Sequence, residues 1–395
     1  MFNKKMYEYG SSPSKIRELF EYGKKRKAEI GEENVFDFSL GNPSVASPDI
    51  VNETLINLIK NVEPTILHGY TSAPGDLGVR QSIVEYLNNK YQVNHHESLV
   101  YLTVGAAASL TIGLNALLNK EEEVIVFSPF FPEYKVFVEN AGGILTIVKP
   151  NEETFEPNLL DLEEKINEKT KIVIINSPNN PTGVVFKEET IKKIASILEK
   201  KSREYSHTIY LLSDEPYREL VYGDIVVPYI PKYYDNTIVC YSFSKSLSLP
   251  GERIGYIIVS ERCLNKKEIY LSICGAGRSL GFVCAPALFQ YMISYCLGVT
   301  SDLNIYKKNR DLLYKELVEY GYKVIKPDGA FYLFVKALGN SSEEFSELAK
   351  KYDLLLVPSD SFGYSGYVRI SYCVDTLVIE KSLPYFKKLI EDYKA

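Results

Sequence analysis

The chain has 395 residues, 45% hydrophobic and 24% charged, an ordinary globular balance with enough length for two domains. Its 45 basic and 51 acidic side chains leave a net charge of −6, and no run of Lys/Arg marks a face: KKRK at 24–27 is short and falls within a helical pattern, so no nucleic-acid partner is expected. The N-terminus lacks the apolar core of a secretory signal and no apolar run approaches the roughly 20 residues of a membrane helix, so a cytoplasmic protein without a membrane partner is expected.

Taken from the N-terminus, residues 14–30 (SKIRELFEYGKKRKAEI) space their apolar side chains for an amphipathic helix. DFSLGNPSVASP (37–48) reads as a short strand breaking into a turn at Gly41 and Pro43. Residues 49–62 read as a helix, and the loop-rich HGYTSAPGDLGVR (68–80) runs into another over about 76–90. His95 and His96 read as part of a solvated loop, since the four histidines show no metal spacing.

From residue 99 the rhythm changes. Short apolar runs at 99–103, 124–127, 144–148, 171–176, 209–213, 237–241 and 254–260 alternate with helical patterns, among them 105–118, 158–168, 187–203 and 262–280. This α/β alternation predicts a mostly parallel, seven-stranded sheet with helices on both faces. The runs are continuous rather than alternating, as strands buried on both faces should be. After about residue 285 the order shifts. Helices near 286–297 and 302–320 precede KVIKP, GAFYLFV, a helix at 342–352, LLLVP, YVRISY and a last helix at 375–391, the pattern of a smaller α+β domain. The expected divisions are 1–48, 49–285 and 286–395. The six cysteines contain no C-x-x-C pair and fall mostly in apolar segments, which reads as buried reduced thiols.

Three motifs collect residues that carry chemistry. YSFSKSLSLPGERIGY (241–256) holds Ser242, Ser244, Lys245 and Arg253; SDEPYREL (213–220) holds Asp214 and Tyr217; NSPNNPTG (176–183) holds Asn180. A lysine forms a Schiff base with an aldehyde. Pyridoxal phosphate needs that lysine, an acid for its ring nitrogen and cationic support for its phosphate. Asp214 follows an apolar strand, so it should stand at the carboxyl edge of the sheet, where ligands bind in doubly wound folds. A helix N-cap is the plain alternative. Gly105, Ala106 and Ala107 lie where a strand turns into a helix, so their backbone N–H groups can face an anion. Small residues that merely allow close packing remain the alternative.

This set of motifs, from about Asp37 to Tyr372, resembles the class I/II aminotransferases, the fold-type I enzymes dependent on pyridoxal phosphate. The resemblance implies that the N-terminal segment 1–48 packs with the small C-terminal domain, while 49–285 forms the large cofactor-binding domain. It implies that Lys245 carries the cofactor and shuttles a proton, that Asp214 pairs with the ring nitrogen, and that Tyr217 and Asn180 reach the phenolic oxygen. Gly105, Ala106, Ala107, Ser242, Arg253 and, less centrally, Ser244 would hold the phosphate. Phe131, in SPFFPEY, would stack on the ring, with Phe130 as its rival. Arg369, in YVRISY, would bind the substrate carboxylate together with Gly41 and Asn180, an outward-facing edge-strand arginine being the alternative. Tyr70 matches the tyrosine that reaches the partner subunit's phosphate, which implies a homodimer with shared sites.

The position at which one branch of the family uses a distal-carboxylate lysine is here Ala107. Arg278, in GAGRSLGF, stands near the place of another branch's distal-carboxylate arginine, donated by the partner subunit. A helix-end arginine paired with the helix dipole is the alternative. The expected reaction is transamination of an L-amino acid with a 2-oxo acid, aspartate or glutamate with 2-oxoglutarate. Aromatic or other neutral amino acids are the runner-up, and a C–S β-lyase would use the same lysine and aspartate. No metal is expected.

Overall fold

The computed structural model describes residues 2–12, 14–339 and 341–394; the outer limits of the expected domain ranges, Met1 and Ala395, lie outside the described residues. Helices α1 (Lys4–Ser11) and α2 (Lys15–Ile30) lead into a two-residue strand, β1 (Phe36–Asp37). Then come α3 (Asp49–Asn61), α4 (Pro64–Leu67) and α5 (Leu77–Tyr91). Helix α5 starts at residue 77 because the Asp76 carboxylate accepts the Val79 N–H at 3.0 Å, satisfying a donor the first turn leaves open.

The αβ alternation follows as β2 (Val100–Thr103), α6 (Ala106–Leu117), β3 (Glu123–Phe127), α7 (Glu133–Asn140), β4 (Ile144–Val148), α8 (Leu159–Lys165), β5 (Thr170–Asn176), α9 (Glu188–Glu204) and β6 (Tyr210–Asp214). It ends with β7 (Thr237–Ser242), a one-turn helix α10 (Phe243–Ser246), β8 (Gly255–Val259) and α11 (Lys266–Ser279). The seven strands form one sheet in the order β2-β8-β7-β6-β5-β3-β4. All pair in parallel except β8, which runs antiparallel to both β2 and β7. The β7–β8 connection is short: residues 243–254, about twelve including α10, lie at the lower limit of the crossover a parallel neighbour needs. Strands β2, β6, β7 and β8 are buried at every position, because helices cover both faces.

Helix α12 (Ala287–Tyr295) packs its Met292 and Ile293 into the cluster that holds Val51 of α3 and Ile83 of α5. We therefore propose the large domain to extend beyond residue 285, to about the start of α13 (Leu303–Tyr320). The remaining elements are β9 (Val324–Ile325), β10 (Tyr332–Lys336), α14 (Ser342–Lys350), β11 (Leu354–Leu355), β12 (Val357–Pro358), β13 (Tyr367–Ser371) and α15 (Thr376–Lys394). Strands β12-β13-β10-β9 make an antiparallel sheet, and β1 pairs in parallel with β11. The chain start is thus tied to its end: Phe36 and Phe38 share a core with Leu354, Ile370, Phe386 and Leu389.

His95 departs from the expected solvated loop. Its side chain is buried, its Nε2 lies 2.7 Å from the Tyr229 hydroxyl, and burial lowers its pKa to about 4. No cluster able to hold a metal ion occurs among the described residues, and among them no helix is long and apolar enough to cross a membrane.

Candidate active site

Strand register brings the motifs together. Strands β5, β6 and β7 are parallel neighbours that end in Asn176, Asp214 and Ser242, and Asn176 is in register with Asp214. On the far side of β8, Thr103 of β2 pairs with Gly255, which also pairs with Ser242. The turn after β2, with Gly105, therefore opens on the same edge. A cavity of about 260 Å³ lies there, lined by Asn180, Asp214, Tyr217, Ser242, Ser244, Lys245, Arg253 and Arg369, and also by Gly41, Ala106, Ala107 and Phe131.

Lys245 lies on the one-turn helix α10, whose start is capped by the Ser242 hydroxyl, 3.2 Å from the Ser244 N–H. Its Nζ donates to the Gly41 carbonyl at 2.6 Å. Burial lowers its pKa to about 8, with Arg253 and Arg369 adding cationic repulsion. The Asp214 carboxylate is buried, which raises its pKa to about 7. Its Oδ2 accepts from the Tyr134 hydroxyl and from Asn176 Nδ2, the latter at 3.3 Å. Its Oδ1 has no hydrogen-bond partner among the described residues. A buried carboxylate oxygen with nothing to accept from fits a protonated ring nitrogen.

Arg369 is only 1% exposed. Its strand β13 lies between β12 and β10, so it is a central-strand residue and the edge-strand alternative does not hold. Nη1 donates to Asn180 Oδ1 at 3.0 Å and Nη2 to the Ser39 carbonyl, while Nε is buried without a hydrogen-bond partner among the described residues. Neither acceptor is a carboxylate, and burial lowers the guanidinium pKa. A desolvated cation held only by neutral oxygens suits an incoming carboxylate.

The opposite end of the cavity suits a phosphate. Gly105 precedes α6 with φ +93°, and a Cβ there would fall 2.9 Å from Arg253 Nη2. Only glycine allows this approach, and the first-turn N–H groups of α6 open on the same place. Arg253 Nη1 lies 3.4 Å from the Ser244 hydroxyl, which is 2.7 Å from that of Ser242. Phe131, half-buried, lines the cavity and meets Tyr134 edge-on at 5.7 Å, whereas Phe130 is buried away from it. Lysine, unpaired acid oxygen and glycine cradle together fit pyridoxal phosphate.

Two expected residues lie outside this cavity within the chain. Tyr70 is 92% exposed, and Arg278 is exposed in the last turn of α11. Motif reading did not single out Asn176 and Tyr332, which line the cavity, or Tyr134, which stands behind Asp214. Tyr134 and Asn176 hold Asp214, and Tyr332 lines the cavity with its hydroxyl 2.9 Å from that of Tyr217. Tyr134 lies one helical turn beyond Phe131, a spacing that could have suggested it. Nothing in the sequence pairs Tyr332 with Tyr217.

The family model described as aminotransferase class I and II matches residues 33–383. An aspartate aminotransferase of Thermotoga maritima is 31% identical over 90% of this chain and 92% of its own length. An aromatic-amino-acid aminotransferase of Thermococcus litoralis is 29% identical over 97% of both chains. Among solved structures, an amino transferase from Eubacterium rectale is 55% identical with a TM-score of 0.98, covering 100% of both chains. The Thermotoga maritima aspartate aminotransferase structure has a TM-score of 0.88 at 29% identity, covering 99% of this chain and 100% of its own.

Proposed function

The chain belongs to the class I and II aminotransferases, enzymes dependent on pyridoxal phosphate, and from that premise we propose that it exchanges amino groups between aspartate or glutamate and 2-oxoglutarate. We propose that it acts as a homodimer whose subunits complete each other's sites. The observation that carries the substrate reading is the position of the cations. Among the described residues, Lys245, Arg253 and Arg369 are the cations that line the cavity, and each already has a task. A distal carboxylate therefore needs a cation from outside the chain, and Arg278 is exposed, with room among small residues. The activity named for the Thermotoga relative supports this reading.

Bound at this site, pyridoxal phosphate supplies an electrophilic carbonyl carbon and a ring that draws negative charge away from the substrate's α-carbon. Arg369, oriented by Asn180, holds the substrate's α-carboxylate as a planar fork. Lys245, with its pKa near 8, is close enough to neutrality to give and take the α-proton. Asp214, held on Oδ2 by Tyr134 and Asn176, presents Oδ1 to a cationic nitrogen. Tyr217 and Asn180 serve the phenolic oxygen. Gly105, Ala106, Ala107, Ser242, Ser244 and Arg253 bind the phosphate, with Tyr70 of the partner subunit on the same group.

Arg278→Ala tests the substrate reading. Leaving a desolvated carboxylate unpaired costs about 2–5 kcal/mol, so kcat/KM for aspartate should fall roughly 30-fold or more, while phenylalanine and alanine are spared. Equal losses on all three donors would overturn it. Mixing Tyr70→Phe with Lys245→Ala protein should restore activity through heterodimers; a fully active monomer in light scattering would refute the shared site. The second reading, neutral or aromatic donors, is favoured by the apolar side chains of Ile16, Leu40, Leu110 and Phe131 along one wall.

A further inference from the structure

Tyr217 does not meet the cavity alone. Its hydroxyl oxygen lies 2.9 Å from that of Tyr332, and this contact is the one hydrogen bond the Tyr332 hydroxyl makes among the described residues. Tyr332 reaches it from β10, across the boundary between the two sheets. Its ring face lies 4.5 Å from the Arg369 guanidinium carbon. Its hydroxyl presses on the Gly41 backbone, where a Cβ would fall 2.0 Å away. The hydroxyl is thus fixed from three sides, and both phenols are buried.

Two phenols sharing one hydrogen bond have two protons, so one proton must point elsewhere. If Tyr217 donated to Tyr332, it would have no proton left to give to a ligand oxygen in the cavity. If Tyr332 donates, the Tyr217 proton is free to turn into the cavity, where a ligand oxygen can accept it. The cation over its ring also favours Tyr332 as the donor. Burial raises the pKa of both phenols, and the Arg369 guanidinium works against that rise at Tyr332.

We propose that Tyr332 is a positioning residue that donates its proton to the Tyr217 oxygen and so commits Tyr217 to donate to the phenolic oxygen of the cofactor. The inference rests on the placement of Tyr217 proposed above. Because β10 also pairs with the strand that carries Arg369, Tyr332 joins the group that holds the substrate carboxylate to the group that polarises the cofactor. A chain of donors strengthens each bond in it. Tyr332 therefore makes Tyr217 a stronger donor and favours the deprotonated form of the lysine-bound cofactor.

The test is a pH titration of the visible absorbance of the holoenzyme without substrate. Tyr332→Phe should raise the midpoint by about 0.5–1 pH unit, a three- to tenfold change in proton affinity, as expected for one neutral hydrogen bond. Fluorotyrosine at position 332, more acidic and nearly isosteric, should lower it; this second variant keeps the test decisive should Tyr332→Phe fold poorly. In a Tyr217→Phe background, Tyr332→Phe should have no further effect on the midpoint. An unmoved midpoint in both Tyr332 variants, with a changed KM, would make Tyr332 a substrate contact and overturn the inference. If Tyr217→Phe itself leaves the midpoint unmoved, the underlying placement of Tyr217 fails instead.

Discussion

Replacing Asp214 with asparagine should destroy the cofactor site yet stabilise the cofactor-free protein above pH 7. Burial raises the Asp214 pKa from 3.8 to about 7 even though the Tyr134 hydroxyl opposes the shift. A difference of about three units corresponds to roughly 4 kcal/mol of cost for holding the ionised carboxylate at pH 8. The folded pKa lies above the unfolded one, so the favourable contribution is full below about pH 4, fades between pH 4 and 7, and is gone above that. Asparagine stays neutral throughout. Its oxygen can still accept from Tyr134 and Asn176, while its amide takes the place of the unpaired Oδ1, at a cost of about 1–3 kcal/mol. The net gain at pH 8 should be roughly 1–3 kcal/mol. Urea unfolding of the two cofactor-stripped proteins, at one protein concentration and at about pH 4.5 and pH 8, measures it directly. With cofactor added the order should reverse, since the ligand stabilises only the protein that binds it. A stability difference that is the same at both pH values, or a wild-type protein that is the more stable at pH 8 without cofactor, would refute this account of Asp214.

Borohydride reduction of the holoenzyme should fix the cofactor to Lys245 alone, and its rate of loading onto the apoprotein should rise as the pH passes about 8, where the lysine amine loses its proton; a label on any other lysine is the contrary result. Gly105→Ala should keep the fold but weaken the cofactor at least roughly tenfold, because φ +93° with ψ 172° strains alanine by about 1–3 kcal/mol and the new Cβ meets Arg253 Nη2 at 2.9 Å. An unchanged affinity in a cofactor titration would show that the cradle needs no glycine.

Much of the large sheet was legible because its strands are continuous apolar runs separated by amphipathic helices. The run at 144–148 forms β4 with those bounds, and the helix expected at 105–118 spans Ala106–Leu117. The short helix α10 was not legible: one turn carries too few residues for periodicity, and it exists because Ser242 caps it. The antiparallel direction of β8 is a matter of strand pairing, which apolar pattern does not report. His95 looked solvent-exposed because burial of a single loop side chain leaves no local signal.

Residue chemistry by itself determined which cofactor this chain suits. Lys245, Asp214, Tyr217, Asn180 and Arg253 have reactive or hydrogen-bonding groups that depend only on side-chain type, and their motifs are local in sequence. Tertiary structure alone decided how those groups are tuned, because pKa and donor direction depend on neighbours far apart in the chain. Tyr134 reaches Asp214 across 80 residues, Tyr332 reaches Tyr217 across 115, and Asn180 reaches Arg369 across 189. Burial lowers the pKa of Lys245 and leaves Arg369 Nε without a hydrogen-bond partner among the described residues. Desolvation is a property of the packed interior, and no stretch of sequence carries it.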